Sequence, residues 1–158
     1  MNHVRETVNG IAAKIDEVLG VILLDKDGIP VAWSGGLFDM EPDDLGAVLA
    51  ASYTCYAALG EDFGQFRTES IMVEYDNVKL VHYQMPSGSL VMVAEKTAPL
   101  GVMRLEAKRG IQELTRVMES TSEARRRLMR NMKFRKTQCR EDSGQDQSNL
   151  ISLLERQG

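Results

Sequence analysis

The fold is decided by the stretch from Glu69 to Glu95, which reads ESIMVEYDNVKLVHYQMPSGSLVMVAE. It contains three short runs rich in β-branched and aromatic residues, separated by the turn residues Asp76-Asn77 and Pro86-Ser87-Gly88. Loops this short join neighbouring antiparallel strands. The stretch therefore predicts a three-stranded meander. Its last run is apolar on both faces, as in a strand that is covered on both sides.

A long helix follows the meander and is predicted to pack back across the sheet. Pro99 stops the third strand, and the helix opens at Leu100. Its apolar residues recur at helical spacing. They are Met103, Ala107, Ile111, Leu114 and Met118.

A first helix and a hairpin are predicted upstream of the meander. Apolar residues between Val4 and Val18 follow the helical period, and Gly20 is expected to end this helix. Val21–Leu24 reads as a covered strand that returns, through a tight turn, as Ile29–Ser34. Pro30 lacks a backbone donor, so the returning strand is expected at a sheet edge.

The turn itself, Asp25-Lys26-Asp27-Gly28, allows two interpretations. Its Asp-x-Asp-Gly pattern also begins a calcium-binding loop. The later ligand positions hold Ile29, Val31 and Trp33, none of which supplies a side-chain oxygen. Turn chemistry alone explains every residue, so the hairpin interpretation is preferred.

The second helix carries two distinct stripes. Pro42 suits its first turn, Asp43 and Asp44 are favourable near the positive end of its dipole, and Gly60 is expected to end it. A bulky stripe, predicted to cover the sheet, consists of Leu45, Val48, Leu49, Ser52, Tyr56 and Leu59. A stripe of small residues consists of Ala47, Ala50, Ala51, Thr54 and Ala58. The small stripe indicates either plain helix propensity or close approach by a helix of another chain.

Taken together, the elements predict an α+β fold (an α/β sandwich) in the order α-β-β-α-β-β-β-α. A five-stranded antiparallel sheet would carry helices on both faces. The 158 residues suffice for one domain, 1–120, and a tail, 121–158.

Composition excludes several classes of protein. A net charge of −4 argues against nucleic-acid binding by the whole domain. No apolar run approaches the roughly 20 residues of a membrane span, and the N-terminus lacks an apolar signal core. Cys55 and Cys139 lie in different contexts and predict no disulfide. These features predict a cytoplasmic protein.

The tail contains three different stretches. Arg125–Arg140 is strongly basic and indicates a solvated helical continuation, an anionic membrane contact or an acidic protein partner. A polar spacer, 141–147, is predicted to be disordered. Leu150–Glu155 is a short amphipathic segment that either docks on a partner or stays frayed.

No catalytic or cofactor-binding pattern is found in the sequence. His3 and His82 lack partners at metal-ligand spacing, and neither phosphate-loop nor nucleophile motifs occur. His82 is interpreted as a strand residue with a satisfied ring. We therefore expect an interaction module that is not an enzyme and needs neither cofactor nor metal.

Two motifs resemble the Roadblock (dynein light-chain) family. One is the first hairpin, Val21–Ala32 (VILLDKDGIPVA), and the other is Leu100–Glu106 (LGVMRLE) at the start of the last helix. The similarity covers residues 4–120 and implies a Roadblock/profilin-like fold. Length and tail layout resemble the prokaryotic MglB type, in which a linker leads to a short C-terminal helix. The basic segment Arg125–Arg140 departs from the family pattern.

The resemblance implies a homodimer that regulates or scaffolds a Ras-like small GTPase without catalytic residues of its own. The sheets would join across the third strand, and the second helices would pack side by side. The implied dimer interface is Ala47, Ala50, Ala51, Thr54, Ala58, Ile71, Val73 and Tyr75. The GTPase contacts assigned are Asp43, Asp44, Leu150, Ile151, Leu153 and Leu154. Activation, exchange and scaffolding all stay open, and so do a heterodimer and a higher oligomer of the chain with itself. The alternative is a dimeric membrane-surface or signalling adaptor that acts through its basic tail.

Overall fold

The structure, a computed structural model, describes residues 2–36 and 40–155, and side chains for 2–36, 40–130 and 155. The order of elements within these residues is the predicted one. They are α1 (Asn2–Ala13), β1 (Val18–Asp25), β2 (Pro30–Gly35), α2 (Pro42–Gly64), β3 (Ser70–Glu74), β4 (Val78–Met85), β5 (Gly88–Glu95) and α3 (Leu100–Glu155). The chain divides into two compact units, 1–119 and 120–158.

The five strands form one antiparallel sheet in the order β2-β1-β5-β4-β3. β5 is central and buried on both faces up to Ala94, as its continuous apolar run predicts. β2 lies at one edge, as Pro30 predicts. β3 lies at the other edge, so the meander occupies the second half of the sheet.

Successive side chains of a strand point to opposite faces of the sheet, and this divides the core into two layers. On one face, Val21, Leu23 and Met92 pack with residues of α1 and α3. Met103, Ala107 and Leu114 are fully buried there, and Ile111 and Met118 are partly buried against them, which confirms the predicted stripe of α3. On the other face, α2 covers a second cluster made of Ile22, Leu24, Leu49, Val91 and Val93. The predicted sheet with helices on both faces is confirmed.

The first hairpin has the predicted turn. Gly28 has a positive φ of 80°, and its N–H donates to the Asp25 carbonyl at 3.1 Å. The Asp25 carboxylate accepts the N–H groups of Asp27 and Ile29, both at 2.9 Å. Because these bonds account for Asp25, the turn interpretation stands over the calcium loop. Within the described residues no group of three or more His, Cys, Asp or Glu side chains is placed to hold a metal ion.

The predicted end of α1 is wrong, because the helix stops at Ala13 and Gly20 lies inside β1. Backbone bonds from Lys14 to Ile11 and from Val18 to Ile15 turn the chain into the strand. Ile15 and Val18 fit a helical face and a strand equally well, so apolar spacing alone could not place the boundary.

The predicted end of α2 is also wrong. The helix runs through Gly60 to Gly64 and is capped by Gln65, which has a left-handed backbone with φ 63°. Gly60 serves packing instead, since an added Cβ would lie 2.7 Å from the carbonyl oxygen of Phe66. The missing side chain lets the chain fold back beneath the helix towards β3.

The tail differs from the prediction in its backbone, because α3 is one helix as far as Glu155. The spacer 141–147, expected to be disordered, is part of this helix. No proline follows Pro99 in the sequence, and Gly144 alone costs a helix only about 1 kcal/mol. Side chains of Leu150, Ile151, Leu153 and Leu154 lie outside the described residues. Among the helices described, none is long and apolar enough to cross a membrane.

Candidate interaction surface

The outward side of α2 is free of charge over most of its length. From Leu45 to Gly60 the sequence contains no Asp, Glu, Lys or Arg. Solvent-facing helices normally carry charged residues on their outer side. The α2 outer face, as we name it, consists of Ala47, Val48, Ala51, Thr54, Cys55, Ala58 and Leu59, all exposed. Such a continuous apolar surface marks an interaction site.

Three of the six residues in the bulky stripe predicted to cover the sheet are exposed instead. Leu45 and Leu49 do pack on the sheet, but Val48, Tyr56 and Leu59 are 57%, 50% and 44% exposed.

A glycine contact explains this orientation of α2. Gly46 faces the first hairpin, and a Cβ added there would lie 2.3 Å from the carbonyl oxygen of Gly28. The helix therefore approaches the hairpin through a residue without a side chain, and bulky neighbours are rotated outward.

The small residues of α2 divide into one inner and four outer positions. Ala50 is half-buried near Gly28, whereas Ala47, Ala51, Thr54 and Ala58 are exposed. The Thr54 hydroxyl donates to the Ala50 carbonyl at 2.9 Å. Because this hydroxyl is already bonded to its own helix, it adds little polarity, and the face stays smooth and mainly apolar.

The β3 edge lies on the same side of the molecule. Within the described strands β3 pairs only with β4, so its other backbone edge has no strand partner. Ile71 and Val73 pair with His82 and Leu80 and are half-buried on the α2 side of the sheet. Tyr75 lies just beyond the strand and is exposed. An unpaired edge of this kind is a template for another strand.

The C-terminal half of α2 is anchored to this edge through aromatic contacts. The Tyr53 hydroxyl donates to the Thr68 carbonyl at 3.2 Å, and the Tyr53 ring lies 5.4 Å from that of His82. α2 and β3 are thereby held next to each other, and the α2 outer face and the open edge can contact one partner together.

His82 lies inside β4 as predicted, but its ring is not satisfied. It is 2% exposed, and neither ring nitrogen has a hydrogen-bond partner among the residues that the structure describes. Desolvation lowers the pKa of His82 to about 4. The imidazole is therefore neutral and serves packing beneath α2, since the neighbouring backbone groups are committed to the sheet.

The residues assigned to GTPase contact belong to both compact units, and only those of the first unit have described side chains. Asp43 and Asp44 are exposed in the first turn of α2. The C-terminal leucines and Ile151 belong to the other compact unit, and their side chains are not described.

Exposed apolar residues outside the two stripes were missed. Ile29 and Trp33 project from the first hairpin, and Phe63 and Phe66 lie around the end of α2. Trp33 pairs with Ile22, so it faces the α2 side of the sheet. In the run Val31-Ala32-Trp33 a small residue lies between two large ones. This pattern could have indicated that Ala32 faces the core and that the two large side chains are exposed.

The arrangement is that of an α+β module that exposes one uncharged helix and one open sheet edge on the same side. A family model of the Roadblock/LC7 domain matches residues 6–94. The chain therefore belongs to the Roadblock/LC7 family, as its sequence motifs predict.

Solved structures show the same fold. Myxococcus xanthus MglB has a TM-score of 0.70 and 21% identity, over 76% of this chain and 98% of that chain. A structure described as MglB with tetrameric arrangement has a TM-score of 0.67 and 23% identity, and the match covers 75% of the present chain and 90% of the other. The gliding protein MglB from Thermus thermophilus has a TM-score of 0.66 and 23% identity, and the match covers 75% of the present chain and 90% of the Thermus chain. A comparison with curated protein sequences gave no match.

Proposed function

We propose that this protein is a non-catalytic homodimeric regulator or scaffold that binds a Ras-like small GTPase and modulates its nucleotide state. The observation that carries the proposal is the uncharged α2 outer face beside the open edge of β3, in a chain of the Roadblock/LC7 family. The resemblance of its sequence motifs to this family implies both the dimer and the GTPase.

The small residues of α2 support helix-to-helix pairing. Ala47, Ala51 and Ala58 let a second α2 approach closely, while Val48 and Leu59 supply apolar area beside them. Strand addition at β3 satisfies backbone groups that water otherwise solvates. Both contacts form in one symmetric interface, in which the same patch of each copy meets itself. Ile71, Val73 and Tyr75 would flank the paired strands.

The GTPase would contact what the dimer leaves exposed on that side. Asp43 and Asp44 lie at one end of α2, and Ile29 and Trp33 project from the first hairpin. Acidic residues beside exposed apolar ones form a surface with both charge steering and area to bury. The dimer would act by holding the switch loops of the GTPase in one arrangement, which is a population shift without chemistry of its own.

Affinity capture tests this function. The immobilised chain is incubated with lysate of its source, loaded with a non-hydrolysable GTP analogue or with GDP. Nucleotide released from the retained protein on denaturation is then identified. We expect guanine nucleotide on a Ras-sized protein, retained better in one of the two states. The double variant Asp43→Lys/Asp44→Lys should retain less, whereas Glu6→Lys/Asp16→Lys, exposed on and after α1, should retain as much as wild type. Recovery of no guanine nucleotide in either state would refute the proposal.

A further inference from the structure

The outer side of α3 within unit 1–119 has the opposite character to the α2 side. Between Leu100 and Arg116 it exposes Val102, Arg104, Leu105, Lys108 and Arg116, which we name the α3 basic patch. Residues three or four apart share a helix face, so these side chains are neighbours. Val102 and Leu105 are 43% and 49% exposed among the cations.

The two carboxylates in this part of α3, Glu106 and Glu113, both interact with residues of α1 or of the segment that follows it. Glu106 is only 7% exposed, and its two oxygens each lie 2.9 Å from a cation, the ammonium of Lys14 and the guanidinium of Arg109. The hydrogen bond from Lys14 lowers the pKa of Glu106 against the opposing effect of desolvation. Glu106 therefore stays ionised and absorbs the charge of Arg109.

Glu113 is also directed towards α1. Its carboxylate accepts a hydrogen bond from the Thr7 hydroxyl at 3.1 Å and lies 3.4 Å from the Nε2 of His3. Among the described residues no carboxylate forms an ion pair with Arg104, Lys108 or Arg116. Within the described residues, the three cations therefore have no carboxylate partner, and two apolar side chains lie between them.

We propose that the α3 basic patch docks this protein on an anionic lipid bilayer. A bilayer surface attracts the cations electrostatically and lets Val102 and Leu105 enter the boundary between headgroups and acyl chains. It also needs no shape complementarity, which suits the convex side of a single helix. An acidic protein would require a matching groove to bury the same apolar groups.

The sheet geometry makes this docking bivalent in the homodimer proposed above. α3 and α2 pack on opposite faces of the sheet. When two sheets join edge to edge through β3, the α3 sides of both copies face the same way. Two weak contacts then act together through a raised effective concentration. The α2 side stays directed away from the membrane and available to a partner.

Vesicle co-sedimentation of the full chain tests the proposal. The probes are vesicles of phosphatidylcholine alone and of equal parts phosphatidylglycerol and phosphatidylcholine. Wild type should bind the anionic vesicles only, and less at high salt. Arg104→Glu/Lys108→Glu should bind at least about 30-fold more weakly, because each cation near an anionic bilayer contributes a factor of about five. Leu105→Gln should weaken binding severalfold while leaving its salt dependence unchanged.

A matched control changes net charge equally on another part of the surface. Lys26→Glu/Arg67→Glu reverses two exposed cations of the first hairpin and of the segment after α2, and should bind vesicles within about twofold of wild type, since long-range charge is screened. The variant Arg126→Glu/Arg127→Glu reverses two cations of the tail, and its vesicle binding shows whether the tail contributes to membrane attachment.

Three outcomes would overturn the patch as a lipid site. They are no binding of wild type to anionic vesicles, equal loss in the patch and control variants, and loss in the tail variant alone. Binding of an acidic peptide through Arg104 and Lys108, with vesicles ignored, would assign the patch to a protein instead. GTPase capture by Arg104→Glu/Lys108→Glu separates this proposal from the previous one, because capture should be retained.

Discussion

Asp25 and His82 differ in how much of their role the sequence discloses. Asp25 forms all of its described side-chain bonds within four residues, to the N–H groups of Asp27 and Ile29. Local turn chemistry was therefore enough to predict the hairpin. The environment of His82 comes from Tyr53, 29 positions earlier in the chain and on another element. Its strand could be predicted, but its unsatisfied ring could not.

The neutral His82 ring predicts a loss of stability in acid. Its folded pKa of about 4 lies below the ordinary value of 6.5, so between these values the unfolded chain binds the extra proton. The contribution of the neutral His82 ring to the free energy of unfolding is fully present above about pH 6.5 and is lost as the pH falls towards 4. Each pH unit in this interval removes about 1.4 kcal/mol, so the total loss is up to roughly 3 kcal/mol.

His82→Leu removes the titrating group at similar volume. Urea unfolding at equal chain concentration, at pH 7.5 and pH 5, should show a smaller stability difference in this variant than in wild type. Parallel losses in wild type and His82→Leu would assign the acid sensitivity to other groups.

The second helix shows what can be predicted at the scale of elements. Its existence, its proline start and its small stripe followed from sequence, because helix period and first-turn preferences are local. Its rotation did not, since it depends on Gly46 meeting Gly28 across the fold. Val48, Tyr56 and Leu59 of the bulky stripe were therefore assigned to the wrong side. Gly60 was predicted to end the helix, although it serves packing.

Ala51→Arg tests the α2 outer face as the dimer interface. Ala51 lies among exposed small residues where a second helix would nearly touch, and a buried unpaired guanidinium there would cost several kcal/mol. Sedimentation equilibrium should show a monomer, or an aggregate, in place of the wild-type dimer.

Ala13→Arg is the matched control, because Ala13 is also exposed but lies at the end of α1. This variant should remain a dimer with unchanged circular dichroism. A dimer that survives Ala51→Arg at micromolar concentration would exclude this face.

At the scale of the whole molecule, the chain consists of a sheet-based unit and a helical extension. Among the residues whose side chains are described, the core clusters extend no further along the chain than Met118. Residues from 120 onward form a compact unit of their own. Stability of the sheet-based unit is therefore expected to be independent of the C-terminal end.

Deletion of Ser148–Gly158 tests this division of roles. Each of Leu150, Ile151, Leu153 and Leu154 could contribute roughly 1.5–3 kcal/mol if buried on a partner, before ordering costs. We expect the dimer and its melting temperature to be nearly unchanged, while GTPase affinity falls or nucleotide exchange changes. A large drop in melting temperature would show that the end packs on its own chain. Unaltered affinity and exchange would show that it has no role in GTPase binding.

The two edges of the sheet differ in a way that limits growth. β2 begins with Pro30, which has no N–H to donate, and its pairing with β1 slips by one residue beside Leu23. β3 contains no proline, and its pairing with β4 has no slip. Each copy therefore offers one open edge for strand addition, that of β3, because proline and bulges hinder pairing at the β2 edge. If two copies join through β3, both open edges are used, and the joined sheet ends in a β2 strand on each side. Growth of such a dimer into a longer sheet would then have to start at an edge that proline and a bulge blunt, which disfavours extension of this sheet into a fibre.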